Sequence, residues 1–117
     1  MNITRKTIVF DAADIEAESA FWAAMLGGSV TRDDDWHSIE VDGVNELSVQ
    51  LAPDHVPPRW PEGNPEQQIH LDLIVEDIDA AHEEAIGLGA RLLQRDPEGN
   101  SFNVYADPAG HPFCLCW

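Results

Sequence analysis

His70 and Asp72 stand two residues apart in QIHLDLIV, and Cys114 and Cys116 stand two apart in HPFCLCW. In a β-strand, residues at that spacing point to the same side, so each pair would present its side chains on one face. Ser48 with Gln50, and Asn103 with Tyr105, are arranged in the same way. A concavity that gathers a histidine, a carboxylate, an amide, thiols and a tyrosine can bind something small and polar. Cys114 could also serve as a nucleophile with His70 as its base, which requires hydrogen-bond reach between them and an oxyanion donor nearby. Against these stands a plainer reading, because buried cysteine is commonly a small hydrophobe and a strand histidine is often merely hydrogen-bonded. His37, His55 and His82 lie in exposed-looking settings and are given no role, and His111 is read as capping or lining a rim.

The elements that must position these residues come in two similar copies. From Ile69 to Val75 apolar and polar residues alternate; from Ile78 the period changes, and Ile78, Ala81, Ala85 and Leu88 form one helical stripe. Asp77 caps that helix and Gly89 stops it. The earlier stretch, residues 7–27, repeats the plan, with Asp14 as cap, Gly27 as stop and a face carrying Ile15, Trp22, Met25 and Leu26. After each helix three strands are predicted: 29–31, 36–41 and 46–51 in the first copy, 90–95, 101–106 and 112–117 in the second. Asp42-Gly43 between alternating runs is a strong hairpin signal. Each half therefore reads strand, helix, three strands. The predicted architecture is α+β, two tandem βαβββ modules forming a curved, mostly antiparallel, eight-stranded cup with two helices outside. Module one spans 1–52, a connector 53–67 and module two 68–117. The connector holds Pro53, Pro57, Pro58, Pro61 and Pro65, so neither helix nor central strand can persist in it. Trp60 should fold back onto the body, where it either covers a pocket or fills a seam.

Composition narrows the partners. Six basic against 22 acidic residues give a net charge of −16, which repels a phosphate backbone and anionic lipid heads, so neither nucleic acid nor a membrane is expected as partner. No stretch approaches the roughly 20 apolar residues of a membrane span, and the N-terminus runs straight into a strand, so the expected location is cytoplasmic. Cys114 and Cys116, two apart on one strand, have α-carbons near the roughly 7 Å limit for bridging, so a mutual disulfide would be strained and reduced thiols are expected.

The pattern HLDLIVEDIDAAHEEAIGLGA followed by DPAGHPF, preceded by a weaker copy of itself and by PPRWP, resembles the vicinal oxygen chelate superfamily of glyoxalase I, bleomycin-resistance proteins and extradiol dioxygenases. HPFCLCW and PPRWP look like its glyoxalase-like subgroup. The resemblance covers essentially the whole chain. It implies a cup that in enzymes holds a divalent metal, with ligands from the first and last strands of each half. Those positions fall here on Thr7, Gln50, His70 and Cys114, of which only His70 keeps the usual ligand type; Thr7 and Gln50 are weak neutral ligands. The implied function is binding of a small organic molecule in a polar cup, without the usual complete metal site. Ser48, Gln50, Trp60, His70, Asp72, Tyr105 and Cys114 are the candidate ligand-binding residues. The alternative is a divalent-metal-dependent lyase, isomerase or dioxygenase in which His70 and Cys114, with Asp72 or Cys116, hold zinc, nickel, manganese or iron. A homodimer is expected by the same analogy.

Overall fold

Asp14 and Asp77 each accept the backbone N–H of the third residue onward, Ala17 at 3.0 Å and Ala80 at 3.1 Å. Each thereby satisfies one of the donors a helix start leaves free. The helices that follow are α1, Ile15–Leu26, and α2, Ile78–Leu88, closed by Gly27 and Gly89 in the left-handed conformation. This is a computed structural model, which describes the backbone of residues 1–117 and every side chain except that of Pro97.

Two units can be distinguished, Met1–His55 and Val56–Trp117, and each carries one copy of the repeat. In the first, β1 (Val9–Ala12), β2 (Ser29–Arg32), β3 (Trp36–Val41) and β4 (Val44–Leu51) form a sheet of order β1-β4-β3-β2. In the second, β5 (Leu71–Ile74), β6 (Arg91–Gln94), β7 (Phe102–Ala106) and β8 (Pro112–Cys116) form a sheet of order β5-β8-β7-β6. Both sheets are open and mixed. The strand before each helix runs parallel to the last strand of its copy, and the other pairings are antiparallel. The eight predicted strands are thus present, shared between two four-stranded sheets. The β3–β4 hairpin turns at Asp42 and Gly43, both at positive φ, 51° and 78°, as its two-residue loop demands.

In the first unit the face toward α1 carries Phe10, Ala12, Ile39, Leu47 and Val49, all buried. Trp22 of α1 is fully buried there, edge-on to Phe10 and Phe21 at 5.5 and 5.2 Å. The predicted stripe of Ile15, Trp22, Met25 and Leu26 needs correcting, because the buried residues of α1 are Glu18, Ser19, Phe21, Trp22 and Ala23. The polar members of that face are paired inside: Trp22 Nε1 donates to Glu18 at 3.1 Å, and Ser19 Oγ lies 2.7 Å from His37 Nδ1. His37, read from sequence as exposed, is accordingly 4% exposed.

In the second unit Phe113 and Leu115 lie on the α2 face, fully buried, and Ala85 is the buried point of the α2 stripe. The first strand of this unit is shorter than its alternation suggests. It pairs with β8 only from Leu71 opposite Phe113 to Ile74 opposite Cys116, and Pro112 has no N–H to extend the ladder. His70 therefore precedes the strand, and Ile69, expected on the helix side, is exposed.

Candidate functional site

Asp72 and Cys114 are register partners on adjacent parallel strands, and Val104 is the partner of Cys114 on its other side. Register partners share a face, so Asp72, Cys114 and Val104 form a row across the side of the sheet opposite α2. Phe102 follows by alternation along β7. The connector supplies the rest, and the result is a pocket of about 180 Å³ lined by Trp60, Gln67, His70, Phe102, Val104, Pro112 and Cys114. Its walls are mostly apolar, and its polar groups come from Gln67, His70 and Cys114.

His70 Nε2 lies 3.3 Å from Asp72 Oδ1, and one ligand atom each from His70, Asp72 and Cys114 fall within 4.8 Å of one another. Cys114 is buried, whereas His70 and Asp72 are exposed. Burial pushes the Cys114 thiol up to about 12, with the Asp72 charge, a hydrogen bond to Asp72 and the neighbouring Cys116 acting in the same direction. Cys116 is raised too, by burial and by Asp72. A thiol so held is neutral near pH 7, and the nucleophile is the thiolate. The structure therefore opposes the Cys114–His70 nucleophile and base pair unless some cation overrides Asp72.

Trp60 lines the pocket wall. Its backbone segment is fixed on both sides, by Arg59 N–H donating to Pro65 O at 2.8 Å and Gly63 N–H donating to Arg59 O at 2.7 Å. Further back, Gly110 at φ +92° leaves room for Pro57, whose Cβ would lie 2.5 Å from any Cβ added there. This close approach seats the connector against the turn that precedes β8.

Tyr105 is elsewhere. It is paired with Phe113 across β7 and β8, and so faces α2; its hydroxyl lies 2.9 Å from His82 Nδ1 and accepts from Asn103 Nδ2 at 3.1 Å, and its ring stacks on Phe113 at 5.5 Å. Polar letters at 103 and 105 suggested the open face, but α2 brings His82 to meet the phenol, so the polar side of the alternation is the inner one. Burial holds the phenol above its ordinary range. Ser48 and Gln50 belong to the first unit. Ser48 is buried and accepts from Asn45 Nδ2 at 3.2 Å; Gln50 is exposed, paired with Asp11 and Trp36. Thr7 is exposed and precedes β1.

Sequence reasoning missed Gln67, Phe102, Val104 and Pro112. Val104 could have been found from its place opposite Cys114 in the final hairpin. Gln67 closes a proline-rich segment without periodicity, so no pattern marks it. Its side-chain oxygen is buried and has no donor among the described residues.

A family model described as a glyoxalase-like domain matches residues 7–116. No curated protein matches the chain. Among solved structures, a fosfomycin resistance protein from Listeria monocytogenes superposes with a TM-score of 0.70 at 14% identity, covering 99% of this chain and 93% of its own. A glyoxalase family protein from Enterococcus faecalis gives 0.69 at 20% identity over the whole of both chains. A bleomycin-binding protein, solved in complex with bleomycin, gives 0.61 at 17% identity over 97% of this chain and 98% of its own. At these identities the likeness carries the fold.

Proposed function

Since the chain belongs to the glyoxalase-like family of the vicinal oxygen chelate superfamily, we propose that it binds a small organic molecule in the pocket between Trp60 and Cys114. The observation that carries this is Gln67, which lines the pocket and whose side-chain oxygen is buried with no donor among the described residues. A buried acceptor left unpaired costs about 1–3 kcal/mol, and a ligand N–H or O–H placed there removes that cost. Trp60, Phe102 and Val104 offer an apolar wall for the rest of the molecule, and His70 offers a second polar contact at the open end. At about 180 Å³ the pocket is smaller than the roughly 300–1,000 Å³ of ordinary ligand sites. It suits a molecule of few heavy atoms, or one projecting group of a larger one. The similarity to proteins that confer fosfomycin resistance or bind bleomycin supports a binding role and leaves the ligand class to experiment. A melting-temperature screen with small donor-bearing aromatics tests it. Stabilising compounds should lose their effect in Gln67→Leu and weaken in His70→Ala, and a screen without stabilising compounds counts against binding.

A second reading rests on the His70, Asp72 and Cys114 grouping. Nitrogen, oxygen and sulfur donors this close suit zinc, so these residues fit a divalent ion once the Cys114 proton is lost. They would hold it, and a bound divalent ion supplies positive charge that polarises a ligand oxygen. Cobalt titration separates the readings. A sulfur-to-cobalt absorption band that disappears in Cys114→Ser and His70→Ala supports the metal reading, whereas no band at stoichiometric cobalt contradicts it.

A further inference from the structure

Arg59 and Arg91 line one groove of about 490 Å³ on the unit Val56–Trp117, together with Trp60, Glu62, Leu92 and Leu93. Arg91 opens β6, the outer strand of its sheet, and Arg59 lies in the connector segment pinned by its own backbone hydrogen bonds. The placement is notable for what it lacks. Acidic residues outnumber basic ones 22 to six, and Arg32 shows the expected result: Glu16 clasps it with three contacts of 2.6 to 3.0 Å. Arg95 reaches His82 at 3.5 Å. Arg59 and Arg91 have no side-chain ion-pair partner among the described residues. Two guanidinium groups left unpaired on one concave surface, in a chain this acidic, are free to meet an anion from outside.

We infer that this groove is a second ligand site, separate from the His70 pocket, for a small organic monocarboxylate with a flat apolar body. Guanidinium groups match a planar carboxylate with paired hydrogen bonds. Leu93 and Trp60 supply an apolar surface of the kind that holds an aromatic or alicyclic body. Glu62 on the same groove repels added negative charge, which disfavours a dianionic phosphate monoester relative to a carboxylate. The volume falls within the usual range for ligand sites. Trp60 also lines the His70 pocket, so one indole forms part of both walls. The inference does not depend on the His70 pocket being occupied.

Calorimetric titration of the full chain at low salt with naphthalene-2-carboxylate, and in parallel with naphthalene-2-carboxamide, tests it. The carboxylate should bind and the neutral amide should bind at least tenfold more weakly. Arg59→Gln and Arg91→Gln should each weaken carboxylate binding about tenfold, as expected for loss of a charge-assisted hydrogen bond, and 0.5 M salt should weaken it further. Gln67→Leu and Cys114→Ser should leave it unchanged. Both arginines lie at exposed positions, so folding is not at stake in their substitution. Absence of carboxylate binding, equal binding of the amide, indifference to both arginine substitutions, or loss in the Gln67 or Cys114 variant would each overturn the assignment.

Discussion

Asp72 faces Cys114 across the β5–β8 ladder, and the charge of its carboxylate opposes loss of the thiol proton. Together with burial this keeps the sulfur neutral and makes the inner end of the pocket a polar but uncharged surface. His70, 3.3 Å from the same carboxylate, stands at the more exposed end. The second unit thus offers a ligand an apolar wall, a neutral floor and a polar rim.

Replacing Asp72 by Asn removes the negative charge that raises the Cys114 thiol, so the thiolate fraction at a given pH must increase. In a Cys116→Ser background, alkylation of Cys114 by iodoacetamide at pH 8.5 should be slow in the otherwise native chain and several-fold faster in Asp72→Asn. Equal rates would show that Asp72 does not act on the sulfur.

The same shift has a consequence for stability. A thiol that ionises near 9 when unfolded and near 12 when folded favours the folded state fully below pH 9. Above pH 9 the unfolded chain loses this proton first, and the contribution is lost as pH rises toward 12. Urea midpoints of native protein should therefore fall through this window more steeply than those of Cys114→Ala, whose absolute stability at pH 7 is lower. Parallel alkaline limbs would contradict the assignment.

Two glycines should respond oppositely to alanine. Gly110 combines φ +92° with Pro57 in the space a Cβ would take, so Gly110→Ala should cost about 1–3 kcal/mol. Gly87 lies within α2 with nothing near its absent Cβ and no positive φ, and Gly87→Ala should add about 0.5–1 kcal/mol. Urea unfolding reads both values.

Tyr105 should prove structural. Tyr105→Phe leaves His82 Nδ1 and Asn103 Nδ2 without the hydroxyl they share, which should cost about 1–2 kcal/mol. Binding in the Trp60 pocket should not change, because Val104 and not Tyr105 faces it. A selective loss of ligand affinity without loss of stability would move Tyr105 back to the site.

Much of this fold is legible from the chain because its signals are local. Asp14 and Asp77 announce helix starts, Gly27 and Gly89 announce ends, and Asp42-Gly43 dictates its hairpin, each through backbone geometry that neighbouring residues fix. The register of Asp72 opposite Cys114 also follows from strand alternation and the duplicated order of elements, whereas His70, which precedes β5, lies outside that alternation. Alternation misleads where a helix carries a polar partner inward: Ser19 meets His37, and His82 meets Tyr105, so polar letters there mark the buried face. The roles of Trp60 and Gln67 depend on how a proline-rich segment folds back, which a long-range contact such as Pro57 against Gly110 decides and no periodicity records.

The most direct test of the proposed function is an amide and side-chain NMR titration of the protein with the strongest stabilising compound from the melting screen. The largest shifts should fall on the Trp60 indole N–H, the Gln67 side-chain amide and the backbone amides of Phe102, Val104 and Cys114. Shifts confined to residues outside that pocket, or no saturable shift at millimolar compound, would contradict it.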